Sequence, residues 1–180
     1  MSLILGLDPG VNGALAFLDI DTWALEVIDA PKIETKIAGS ARNHVDHGRL
    51  ARLIRVRKPT HLVTEKLWSR PGQDSKSTFT LGRYLGHVEM AASMLLECTL
   101  MQPTPQEWKG DLHVSADKSL SRDRAIQLIP ALEPILTRKG DHDRGEAAML
   151  AFWGALKLGK LPGAIRLINP PDAPKRKKAA

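Results

Sequence analysis

Cysteine occurs once in 180 residues, at Cys98. A lone cysteine excludes an internal disulfide and a cysteine-based zinc cluster, and its expected role is a buried, inert thiol. No apolar run approaches the length of about 20 residues that a membrane-spanning helix needs, so no membrane association is expected. Lys and Arg are missing from the first thirty residues, which hold five acids, Asp8, Asp19, Asp21, Glu26 and Asp29. The basic opening and small-residue cleavage site of a signal peptide are therefore missing too, and a cytoplasmic location is expected. Nucleotide-binding glycine patterns are also missing. Gly6, Gly10 and Gly13 fit neither the Walker loop nor the dinucleotide spacing.

What is present suits one α/β domain with a full core: 43% apolar and 26% charged residues. The net charge of +6 is unevenly spread. Residues 31–70 carry ten Lys or Arg against three acids, and Lys175, Arg176, Lys177 and Lys178 close the chain. Without those four the balance is 22 basic to 20 acidic residues, so the global charge alone says little. The local cluster says more, because a basic face neutralises phosphates and releases counterions. A solvated helix face would account for any one of these arginines.

Along the chain, Leu3–Asp8, Ala14–Leu18 and Leu25–Ile28 read as three strands joined by tight turns, hence antiparallel. Residues 31–44 are polar and mixed, and a loop is expected. Val45–Val56 reads as a helix ended by Pro59, and His61–Thr64 as a short strand. A polar loop over 67–77 leads to a long helix over about 78–97, with Leu81, Leu85, Val88, Ala92 and Leu95 on one stripe. Thr99–Gln102 is a short strand, residues 105–110 a helical turn, and Lys118–Ile129 and 143–158 are helices. Later strands linked by crossover helices pair in parallel. The expected fold is therefore a mixed five-stranded sheet with helices on both faces, over residues 1–160. Residues 161–180, rich in proline and base, read as an extended tail.

Certain carboxylates stand where strands and helices begin or end. Asp8 closes the first strand at Pro9-Gly10, though aspartate is depleted in strands. A turn-capping role would also explain it. Glu65 closes the strand His61–Thr64, and a surface pairing with Lys66 is the bland alternative. Strands lie about 4.8 Å apart, so the two acids could reach one ion. Asp143 and Glu146 share a face at the start of the last helix, where helix capping would serve equally well. Phosphodiester hydrolysis gives acids a reason to gather. It needs an activated water and relief of charge on the leaving oxygen, and two divalent ions about 3.5–4 Å apart provide both. Hard ions such as magnesium prefer carboxylate oxygens.

These residues resemble the motifs of the RuvC family of Holliday-junction resolvases. Leu5-Gly6-Leu7-Asp8-Pro9-Gly10 is similar to the family's first motif, and Val63-Thr64-Glu65 to its second. Leu81-Gly82-Arg83-Tyr84-Leu85-Gly86 resembles part of its long central helix. Pro105-Gln106-Glu107-Trp108-Lys109, Ala116-Asp117-Lys118 and Asp143-Arg144-Gly145-Glu146-Ala147 follow in the family's order, so the resemblance runs over about residues 3–158. It implies an RNase H-like, Mg²⁺-dependent endonuclease with two ions per site, Mn²⁺ substituting. It also implies a homodimer, bacterial or viral, that nicks a four-way DNA junction on two opposing strands. Asp8, Glu65, Asp143 and Glu146 match the metal-binding, catalytic carboxylates. Lys109 and Lys118 match DNA-contacting residues, and Trp68 matches an aromatic that stacks on a base at the open junction. A hydrophobic loop anchor is the other reading of Trp68. The last carboxylate is Glu where Asp is commoner, and some members place a histidine in this motif. The choice among Asp141, His142 and Asp143 therefore stays open. An RNase H-like nuclease with another branched or RNA–DNA hybrid substrate is the alternative.

Overall fold

The computed structural model describes residues 2–37, 40–69, 72–94, 98–115, 117–160 and 162–168. Its strands are β1 (Leu3–Asp8), β2 (Ala14–Asp19), β3 (Ala24–Asp29), β4 (Lys32–Ile37), β5 (Ser40–Val45), β6 (His61–Thr64), β7 (Thr99–Met101) and β8 (Arg166–Leu167). Its helices are α1 (His47–Arg57), α2 (Ser75–Ser93), α3 (Pro105–Asp111), α4 (Lys118–Leu128) and α5 (His142–Lys157). Short 3₁₀ turns over Pro130–Ile135 and Lys139–Asp141 join α4 to α5.

The main sheet runs β7-β6-β1-β2-β3-β8. β1, β2 and β3 are antiparallel neighbours, while β6 joins β1, and β7 joins β6, in parallel. This is the expected mixed sheet with one strand more. Arg166–Leu167 pairs in parallel with Ala24–Leu25, so the structured body passes residue 160 and takes in part of the expected tail. The basic cluster at 175–178 lies outside the described residues. A second departure is the hairpin β4–β5, where a loop was expected over 31–44. Lysine, glutamate and arginine between the β-formers hid the two-residue alternation there.

Alternation along β1 sorts the core into two layers. Leu5 and Leu7 face α1 and α2, together with Leu15, Leu50, Ile54, Tyr84 and Val88. Ile4 faces the other way, with Val63, Val27 and α5, whose Ala147, Ala148, Leu150 and Ala151 are wholly buried. Gly6 shares that second face, and its lack of a side chain lets α5 lie directly on β1. A Cβ there would sit 2.1 Å from the Ala147 carbonyl oxygen. α5 is therefore buried nearly all round, which explains a helix with so little polar surface. No described helix is long and apolar enough to cross a membrane.

Candidate active site

The same alternation aims the acids. Asp8 follows Ile4 and Gly6 on the α5 side of β1, and Glu65 follows Val63 on the α5 side of β6. Leu7 is paired with Thr64, so Asp8 and Glu65 leave adjacent strands at the same level. α5 begins against this edge and brings Asp143 and Glu146. The cluster shows in the charge state of Asp8. Burial, then the nearby charges of Glu146, Asp143 and Glu65, together with a hydrogen bond shared with Asp143, hold its carboxyl well above the usual range. Its described partner is thus another acid, not the turn amides that a capping role would require.

Each glutamate has its own clamp, and both clamps sit on α3. Trp108, buried to 1% exposure, donates its indole N–H to Glu65 Oε1 at 3.1 Å. Lys109 donates to Glu146 Oε1 at 3.3 Å, and Ser121 of α4 donates to the same oxygen at 3.1 Å. α3 is short but well fixed. Pro105 opens it, and Thr104 and Glu107 form a reciprocal capping box. The bonds to Glu65 and Glu146 fall on Oε1, leaving the second oxygen of each for another ligand. Among the described residues no three His, Cys, Asp or Glu groups stand in a ready-made metal cage.

The three candidates at the start of α5 differ in their ion pairing. Asp141 is buried and gripped by Arg138, at 2.6 Å, with Arg144 at 3.6 Å. Burial alone would raise its carboxyl, but the hydrogen bonds and charges of Arg138 and Arg144 outweigh burial and hold it below the usual range. Arg144 also forks onto Asp29 at the end of β3, at 2.7 and 2.8 Å. Asp141 is therefore a structural anchor that ties the helix start to the sheet. His142 Nε2 lies 2.9 Å from Asp143 Oδ1. Asp143 is the second residue of α5, not its cap, and Glu146 is taken up by Lys109 and Ser121. The capping reading of this pair is not what the structure adopts.

The carboxylates open onto two clefts. One, of about 940 Å³, is lined by Asp8, Asp143, Glu146, the loop 9–13 and the first turns of α2. The other, of about 570 Å³, holds Glu65, Trp68, Leu81, Leu85 and Pro105. Leu81 borders both. Trp68 is 45% exposed on the wall of the second cleft, close along the chain to Glu65. Lys118 is the first residue of α4. Sequence reasoning missed Ser121, Arg138 and Arg144 as site supports. It also read Trp108 only as an apolar motif position, although a buried indole N–H demands a partner.

No family model matches the chain, and no curated protein does. Solved structures do. RuvC of T. thermophilus in complex with Holliday junction substrate aligns over 89% of this chain and 98% of its own, at 15% identity and a TM-score of 0.60. A second structure of Thermus thermophilus RuvC aligns over 88% of this chain and 97% of its own, at 14% identity and a TM-score of 0.49. The Fowlpox virus resolvase with its Holliday junction DNA aligns over 87% and 98%, at 10% identity and a TM-score of 0.49. Over the aligned length the chain has the RNase H-like fold seen in T. thermophilus RuvC.

Proposed function

We propose that this chain is a metal-dependent DNA endonuclease that resolves four-way junctions by paired nicks. The observation that carries the reading is the meeting of Asp8, Glu65, Asp143 and Glu146 at one edge of the sheet, with the Asp8 carboxyl pushed up first by burial and then by the charges of the other three. The solved structure that shares the fold was determined with Holliday junction substrate.

The donor set suits hard divalent ions. Four carboxylates facing the ammonium of Lys109 leave net negative charge in a half-buried site, and their oxygens are the ligands that magnesium prefers. The proposed occupants are two Mg²⁺, or Mn²⁺, held by Asp8, Glu65, Asp143 and Glu146. Bound there, such ions activate water and stabilise charge on the phosphate oxygens. The protein's part is positioning. Trp108 fixes the rotamer of Glu65, and Ser121 and Lys109 fix that of Glu146. Lys109 and Lys118 add positive charge for the DNA backbone. Trp68 offers a ring to an unstacked base, a contact worth about 1–3 kcal/mol whatever the base.

Two symmetric nicks require two sites, hence a homodimer. The proposed seam is the outer face of α2, where Phe79 and Met90 are exposed and a Cβ on Gly82 or Gly86 would meet nothing. The basic tail is proposed to hold any DNA by charge alone.

The test is a cleavage assay with a four-way junction, duplex, flap and RNA–DNA hybrid of matched sequence. Mg²⁺ or Mn²⁺ should support symmetric junction cleavage, Ca²⁺ binding only, and EDTA neither cut. A preference for flap or hybrid would move the chain to another RNase H-like nuclease activity. Full cleavage in excess EDTA would overturn the metal-dependent reading.

A further inference from the structure

The hairpin β4–β5 meets the core only through Val45 among its described side chains. Its strands pair only with each other, over six residues each. A free two-stranded ribbon is marginal by itself in water. What it presents outward is charge. Lys32, Lys36 and Arg42 are exposed, against the single acid Glu34.

Its position is set by the sheet. Asp8 is paired with Ala14, and Ala14 with Asp29, so β3 ends on the carboxylate edge, two strand spacings or about 10 Å from Asp8. The ribbon starts there. Its root is tied down by the backbone bond from Asp46 to Pro31. It is also tied to the active-site loop, because Lys32 Nζ donates to Asn12 Oδ1 at 3.0 Å. Asn12 itself lines the cleft that holds Asp8.

We propose that this ribbon is a second DNA contact, gripping a duplex arm beside the site of cleavage. The inference rests on the reading of the chain as a DNA-binding protein and adds an element that the active site does not need. A ribbon of six residues reaches about 20 Å. Starting 10 Å from Asp8, it covers duplex about 3–9 base pairs from the scissile phosphate, at 3.4 Å per pair along one strand. Lys32 and Lys36 share one face with Glu34 and Asn43, a net positive charge, while Arg42 opposite Thr35 is on the other. Cations on both faces suit the two phosphate walls of a groove, since a ribbon about 10 Å thick fits a major groove about 12 Å wide. Such contacts carry no sequence information.

The experiment measures binding by fluorescence anisotropy in EDTA, so that nothing is cut, on a 30-base-pair duplex and on a four-way junction. The Lys32→Ala/Lys36→Ala/Arg42→Ala variant should lose on the order of 10- to 100-fold in affinity on both at low salt. Its plot of log affinity against log salt should be shallower by about 3, since each phosphate contact contributes about 0.9. The charge-preserving Lys32→Arg/Lys36→Arg/Arg42→Lys variant should keep the wild-type slope, which separates lost charge from lost folding. An unchanged slope in the alanine variant, with wild type binding well, overturns the ribbon contact and leaves the proposed nuclease standing. If that variant instead changes the oligomeric state in light scattering at an unchanged slope, the ribbon serves a second copy and the proposal falls. A wild type that binds neither DNA overturns both readings.

Discussion

Gly6→Ala tests how the site is held together. A Cβ at position 6 would lie 2.1 Å from the Ala147 carbonyl oxygen, 2.4 Å from the Ala151 backbone nitrogen and 2.9 Å from Ala151 Cβ. Comfortable contact begins at about 3.5 Å, so α5 would have to retreat by about 1.4 Å. Two of the three obstructing atoms are backbone, and no rotamer change relieves them. Overpacking costs about 1–3 kcal/mol in ordinary cores, and this position belongs at the upper end. At about 3 kcal/mol the melting temperature should fall by about 6–12 °C for a chain of this size. The same retreat draws Asp143 and Glu146 away from Asp8 and Glu65. A misplacement of about 1 Å can cost on the order of 100-fold in rate. Gly154→Ala is the control on the same helix. Its Cβ would meet Val63 Cγ2 at 2.7 Å and Ile4 Cγ2 at 3.3 Å, side-chain methyls at longer range than the backbone atoms that obstruct position 6. That variant should cost about 1 kcal/mol, the low end of overpacking, and little activity. The assays are thermal unfolding and single-turnover junction cleavage at saturating Mg²⁺. Wild-type behaviour of Gly6→Ala in both, or a larger loss in Gly154→Ala, would refute the argument.

Other outcomes are equally definite. Asp8→Asn should abolish cleavage yet raise the melting temperature of the metal-free protein. The raised carboxyl of Asp8 makes wild-type stability fall as pH climbs from about 4 through its folded value, and Asn removes that slope; equal slopes in pH-dependent melts would contradict the clustering. Trp108→Phe keeps an aromatic ring but loses the donor to Glu65 and part of the buried indole volume, so unfolding in urea should show a loss of about 1–3 kcal/mol, with a slower cut at unchanged junction affinity. An unaltered rate would reduce Trp108 to packing. Arg144→Met leaves the buried Asp141 with Arg138 alone, while the half-exposed Asp29 turns to solvent, and should cost about 1–3 kcal/mol in urea. Trp68→Ala should slow cleavage of a closed junction strongly and of a junction already unpaired at the cut site much less. Equal losses on the two substrates would assign Trp68 to the fold.

Much of this was legible because strand alternation is strict. Asp8 and Glu65 each end a short apolar run, and a period of two fixes the face on which they emerge. The long apolar stretch after Asp143 announced a buried helix. Sequence could not distinguish Asp141 from Asp143, because their difference lies in Arg138 and Arg144, and Arg144 reaches a partner on β3 far away in the chain. Nor could it show that Trp108 and Lys109, consecutive residues, each hold a different glutamate. The hairpin was missed because its alternation is nearly all polar, with no buried face to give it a hydrophobic period. β8 was missed because two residues carry no period at all.

The carboxylate edge is also a clock. Asp8 comes from β1 and Glu146 from α5, and α5 finds its bed on β1 only after the segment between them has been made. At about 5–20 residues per second, Glu146 leaves the ribosome roughly 7–28 s after Asp8. Until then β1 exposes the glycine-floored groove that α5 will fill, and the nascent protein holds only half of its acids. A chain built in this order cannot bring its four clustered carboxylates together before α5 has docked on β1, so any fragment released before Asp143 lacks half of the proposed site.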